Sequence, residues 1–137
     1  MSYLLDTNVL SETRKRQRNA GVTEWISRTP PERLHLSILT IGEIDRGIQR
    51  LADRGDQRQA ASLTGWLEDV ISEFGDRIVP VTLHIAREWG GQSSAQPVPA
   101  IDGLIAATAK VHDWTVITRN TKDFAHAGAR VLNPFAD

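Results

Sequence analysis

Short β-type runs that give way within a few residues to helix-type patterns set the tightest limit on how this chain can fold. Tyr3-Leu4-Leu5 is an apolar run ending at Asp6-Thr7-Asn8, a capping-type cluster, after which Val9 and Leu10 begin a helix reaching Arg14-Lys15-Arg16. Leu34 to Leu39 alternates apolar and polar residues, and Thr40-Ile41-Gly42-Glu43 follows with the S/T-x-x-E form of a capping box. The helix opened there carries Ile44, Ile48 and Leu51 at helical spacing and stops near Gly55. Arg77 to Val81 reads as a strand interrupted by Pro80, and Thr82 as the cap of a helix through Trp89. Thr115 to Thr118 is a further strand, and Arg130-Val131-Leu132 the last.

Three more helices fill the intervals. They are Val22 to Ser27, closed by Pro30-Pro31; the segment from Arg58 through Leu63, Leu67, Val70, Ile71 and Phe74, stopped by Gly75; and the Ala-rich stretch Ile101 to His112. A crossover helix is the usual way to return a chain for parallel pairing. The alternation therefore predicts an α/β domain with a mainly parallel central sheet flanked by helices. A chain of 137 residues suits one such domain, read as residues 1–137, and the Gly90 to Pro99 segment is short enough to be a loop within it.

The chain has no cysteine, which excludes disulfides, thiolate zinc sites, iron–sulfur clusters and cysteine catalysis. His35, His84, His112 and His126 show no H-x-x-x-H spacing, so zinc is unsupported, as is a paired-histidine mechanism in which an RNA 2′-OH attacks. There is no G-x-S-x-G elbow and no phosphate-cradling glycine loop. The first residues lack a signal-peptide pattern, and no run approaches the ~18 apolar residues of a membrane span. A cytoplasmic protein with no membrane partner is the expectation. A net charge of -1 gives no general affinity for polyanions, so any nucleic-acid contact has to come from local charge.

Asp6 directly follows the first strand, Glu43 lies in the first turn after the second, Asp102 opens the Ala-rich helix, and Asp123 lies just past Thr118. Any one of these acids is explained by helix capping or by the helix dipole, Glu43 most readily because it completes a capping box. The set is harder to explain, since Ser, Thr or Asn would cap as well. In an open parallel sheet such positions gather at the carboxyl edge, where ligands bind at the topological switch point. Four carboxylates there would repel one another and raise one another's pKa values unless a cation compensates. Mg²⁺ or Mn²⁺ takes oxygen ligands, and at such a site it activates water for attack on phosphorus and offsets charge on the leaving oxygen. The chemistry indicated is phosphodiester hydrolysis.

Four blocks carry a family likeness: Tyr3 to Glu12, the Glu43 helix, Asp102-Gly103-Leu104-Ile105-Ala106-Ala107-Thr108-Ala109, and Thr118-Arg119-Asn120-Thr121-Lys122-Asp123-Phe124. Together they make the chain resemble a PIN-domain ribonuclease, more narrowly the VapC toxins of bacterial toxin–antitoxin pairs, including their FitB-like branch. The similarity runs through to Asn133-Pro134-Phe135. The resemblance implies a magnesium-dependent endoribonuclease, usually a homodimer, held inactive by a cognate VapB-type antitoxin whose tail occupies the acidic groove. By motif, Asp6, Glu43 and Asp102 match the family's metal-binding acids and Asp123 its more variable fourth. Thr118 and Asn120 match supporting polar positions, while Thr7 and Asn8 arrange the first turn. The alternatives are a PIN nuclease in RNA processing outside such a pair and a non-catalytic binding module.

Arg14-Lys15-Arg16-Gln17-Arg18 reads as a solvated helix end or as a patch that tracks RNA phosphates, and Arg119 as a phosphate contact or a partner of the acids. Trp25, Trp66, Trp89 and Trp114 read as core or interface rather than as base-stacking platforms. A phosphoacceptor receiver domain would need an adjacent acid pair after the first strand, and a haloacid-dehalogenase-type phosphatase an Asp where Asn8 stands. Neither pattern is present.

Overall fold

The central strand of the sheet is β1 (Tyr3–Leu5), and the computed structural model describes the chain over residues 1–95 and 97–137. On one side of β1 lie β2 (Leu34–Ser37) and β3 (Ile78–Val79); on the other lie β4 (Thr115–Ile117) and β5 (Val131–Leu132). All four pairings are parallel, with Tyr3 beside both Leu34 and Thr115. The chain builds outward from β1 to β3 and then crosses to the far side of β1. The topological switch point therefore falls between β1 and β4.

Among the described residues seven α-helices cover this sheet: α1 (Thr7–Glu12), α2 (Ala20–Arg28), α3 (Ile38–Asp53), α4 (Gln57–Phe74), α5 (Leu83–Gly90), α6 (Ala100–His112) and α7 (Thr121–His126). Alternate residues of each central strand enter different cores, as the two-residue period of a strand requires. Leu5 and Ile117 join Val9, Val22, Trp25, Ile44, Leu67 and Val70, which belong to α1 through α4. Leu4 and Val116 join Ile105, Ala106, Ala109 and Phe124, which belong to α6 and α7. At about 1.5–3 kcal/mol for each buried large apolar side chain, these two layers hold the strand ends that carry the site.

Several element boundaries differ from expectation. The second strand stops at Ser37, whose hydroxyl accepts from the Leu39 amide at 3.0 Å, so α3 begins at Ile38 and the Thr40 capping box does not form. Thr40 is instead buried within the helix, and Glu43 stands one turn deeper than its sequence pattern suggests. Helix α1 ends at Glu12, before the basic run, because Thr13 Oγ1 donates to the Leu10 carbonyl while the Glu12 carboxylate accepts from the Asn19 amide. The third strand keeps only Ile78 and Val79, and the last only Val131 and Leu132. Helix α7 had no counterpart in the sequence reading. Of the Gly90 to Pro99 loop, Gln96 lies outside the described residues. None of the described helices is long and apolar enough to cross a membrane.

Candidate functional site

Asp6 leaves β1 at the switch point and caps α1, its Oδ1 accepting from the Thr7 amide at 2.8 Å. Its Oδ2 accepts from Thr118 Oγ1 at 2.8 Å and from Asn8 Nδ2 at 3.1 Å. Thr118 is fully buried at the end of β4, and its hydroxyl oxygen also accepts from the Asn120 amide at 2.9 Å. Asn8 uses its other end as well, Oδ1 accepting from the Arg119 amide at 3.3 Å. The ends of two adjacent parallel strands are thus tied to one carboxylate, which fixes its position.

The other acids are held less tightly. Thr7 Oγ1 donates to Glu43 Oε1 at 2.6 Å and lies 3.5 Å from Thr40 Oγ1, so the turn after β1 anchors the acid of α3. Asn120 Nδ2 donates to Asp123 Oδ2 at 3.1 Å in the first turn of α7. Asp102, in the first turn of α6, accepts no hydrogen bond from the described residues, and its oxygens are not sealed off from solvent. Gly103 beside it lets α5 come close: Gln92 Nε2 donates to the Gly103 carbonyl at 2.8 Å, and a Cβ at Gly103 would stand 3.0 Å from Trp89.

The electrostatics show that the four acids share one field. Burial pushes the Asp6 carboxyl above its ordinary value, against hydrogen bonds from Thr118 and Thr7, and the charge of Glu43 adds to the rise. Asp102 is pushed up to about 6, first by burial and then by the charges of Asp6, Glu43 and Asp123. Among the described residues no ion pair engages any of the four acids, and every ligating atom they offer is oxygen, which fits a hard divalent cation. Among the described residues no three acid or imidazole side chains form a ready-made metal cage. The fit is therefore to an ion such as Mg²⁺, which takes one or two carboxylates and completes its shell with water or substrate phosphate.

The basic run is engaged elsewhere. Lys15 pairs with Glu12 at 2.9 Å, Arg18 Nε donates to the Lys15 carbonyl, and Arg14 lies 5.8 Å from the Trp66 ring centroid. Its hydrogen bonds and ion pairs involve none of the four acids, whereas Arg119 is one hydrogen bond from Asn8. Trp25 and Trp66 belong to the core around β1, as expected of them, and Trp89 packs on Gly103. Sequence reasoning gives Thr40 only a capping role and Phe135 only a place in the family likeness, and it assigns no range to α7. The helix had a local signal in Asn120-x-x-Asp123, a side-chain pair across its first turn.

Residues 3–129 match the family model described as the PIN domain. The chain belongs to the PIN-domain family. It is 35% identical over 140 residues to the Toxin FitB of Neisseria gonorrhoeae, covering 98% of this chain and 99% of that protein. It is 31% identical to the VapC ribonuclease Y4jK of Sinorhizobium fredii, covering 96% of each. The crystal structure of FitAcB from Neisseria gonorrhoeae matches with a TM-score of 0.87 at 35% identity, covering 96% of this chain and 97% of that one. The PIN fold expected from the motif blocks is the fold observed.

Proposed function

We propose that this PIN-domain chain is the toxin of a type II toxin–antitoxin pair: a cytoplasmic, Mg²⁺-dependent endoribonuclease, with Mn²⁺ as an alternative ion, working as a homodimer and restrained by a cognate VapB-type antitoxin. The observation that carries the reading is Asp102, which has no hydrogen-bond partner among the described residues, faces the charge of three other acids and stands at the edge where Asp6 is locked in place. A relative named as a toxin and another named as a ribonuclease, both matched nearly end to end, support it.

In this reading Asp6 and Asp102 hold the ion, with Glu43 and Asp123 completing the acidic set. When bound, the ion supplies the Lewis acidity that activates a water and offsets charge on the leaving oxygen. The chain's own residues do the positioning. Thr118 and Asn8 orient Asp6, Thr7 aims Glu43, and Asn120 aims Asp123. Incubating the purified chain with RNA and Mg²⁺ tests the reading. Cleavage that stops with excess EDTA and is absent in Asp102→Asn is expected; full cleavage by rigorously metal-free protein would sink it.

A further inference from the structure

Beyond the acids, one cation beside the site is held by a segment of the chain that the proposed chemistry does not use. The Arg119 guanidinium carbon lies 3.8 Å from the centroid of the Phe135 ring. Stacking occupies a face of the guanidinium and leaves its in-plane N–H fork open. Among the described residues no acceptor takes a hydrogen bond from that fork, and no carboxylate stands within 4.0 Å of it. Glu12 feels Arg119 only as a minor influence, after its own contacts with Lys15 and Asn19.

The tail that brings Phe135 there is built into the fold. Thr118 donates its amide to the Leu132 carbonyl at 3.0 Å, so the chain leaves β5 alongside the site. Asn133 Oδ1 accepts from the Phe135 amide at 3.0 Å, shaping the turn that presents the ring, and the ring's inner side packs on the core around β1. Beyond it, Asn19 clasps Ala136 from both sides: Nδ2 donates to the Ala136 carbonyl and Oδ1 accepts from its amide, each at 2.9 Å. A Cβ at Gly21 would strike the Pro134 carbonyl and stand 2.6 Å from the Ala136 nitrogen, so this close seat requires glycine.

We infer that residues 133–136 form a strap whose Phe135 is a positioning residue, holding the guanidinium of Arg119, the residue next to Thr118, against its ring with the N–H fork free to take a phosphate of the bound RNA. The inference rests on the proposed ribonuclease function and adds to it. An arginine already restricted by stacking has less rotamer freedom to lose when it grips an anion than one that waggles in solvent. A bidentate guanidinium–phosphate contact would also supply attraction to an RNA backbone that the acidic set repels.

The test uses the full chain with Mg²⁺ and a short single-stranded RNA, comparing wild type with Phe135→Leu, Phe135→Tyr and Arg119→Gln. Phe135→Leu is expected to raise KM roughly fivefold or more with kcat far less affected. The salt slope of RNA affinity should fall by about 0.7, the loss of one phosphate contact on a single strand. Phe135→Tyr should restore both, and Phe135→Leu added to Arg119→Gln should cost nothing further, since the two act through one contact. A Phe135→Leu protein that loses thermal stability but keeps wild-type KM and salt slope overturns the inference, reducing the stack to a brace for the tail. If wild type cleaves no RNA, the ribonuclease reading itself fails; if it cleaves and Arg119→Gln is unchanged, only the strap does.

Discussion

Thr118 donates a 2.8 Å hydrogen bond to Asp6 across 112 positions of sequence, and both residues are buried at the ends of adjacent parallel strands. The bond serves packing and chemistry at once. It satisfies a carboxylate that burial would otherwise drive towards its neutral form, and it fixes which way that carboxylate faces.

Replacing Thr118 with valine keeps the shape and removes the donor, leaving Asp6 with the weaker support of Thr7 and Asn8. A loss of about 1.5–3 kcal/mol is expected for a bond to a charged group, read as a lower urea midpoint with unchanged slope. Thr118→Ser, which keeps the hydroxyl, should recover most of it. Equal midpoints for the valine and serine variants would count against the bond.

Metal binding should appear as stability. An ion that binds only the folded chain raises its melting temperature by mass action, and relief of repulsion between the acids adds to the effect. Mg²⁺ is expected to stabilise wild type clearly and Asp102→Asn or Asp6→Asn much less, although both amides keep the fold. Identical thermal shifts for wild type and Asp102→Asn would remove Asp102 from the site.

How much of this was legible beforehand depends on how local each determinant is. The strand ending at Asp6 and the Thr82 cap were readable because an apolar run and its capping residue adjoin in sequence. The start of α3 was not, since Ser37 and Thr40 both offer a capping hydroxyl and only tertiary packing buries Thr40 beside Thr7. Helix α7 has six residues, too few to be stable alone, and owes its place to Phe124 in the core. The Arg119–Phe135 stack leaves no periodic trace, because it depends on where Asn19 and Gly21 seat the tail.

Gly103 offers a test of the wall beside Asp102. Alanine there gains up to about 1 kcal/mol of helix propensity. Its Cβ, however, would stand 2.9 Å from Gln92 Oε1 and 3.0 Å from Trp89 Cδ1 and Nε1, while Gln92 is tethered to the Gly103 carbonyl. Overpacking of this kind costs about 1–3 kcal/mol, so the clash should win. Net destabilisation of Gly103→Ala is expected by urea unfolding; a more stable variant would mean that α5 yields without cost.

Asp102 and Glu12 should give stability opposite dependences on pH. Asp102 is raised from 3.8 to about 6, so between those values the unfolded chain releases a proton that the folded chain retains. Metal-free stability should therefore fall as pH rises across that window and level off above it. The full shift corresponds to about 3 kcal/mol at 1.36 kcal/mol per unit, but the carboxyl is partly solvated, and about 1 kcal/mol is the realistic scale. Glu12 is lowered from 4.5, chiefly by its contact with Lys15 and then by the Asn19 amide, so its contribution is present at neutral pH and is lost as pH falls below that value. In EDTA, Asp102→Asn should be more stable than wild type at pH 7.5 and equal to it near pH 4. Glu12→Gln should be less stable at pH 7.5 and approach wild type on acidification. Added Mg²⁺ should abolish the advantage of Asp102→Asn at pH 7.5, because the ion favours the ionised carboxylate that the metal-free fold penalises; an advantage that survives saturating Mg²⁺ would show that the ion does not engage Asp102.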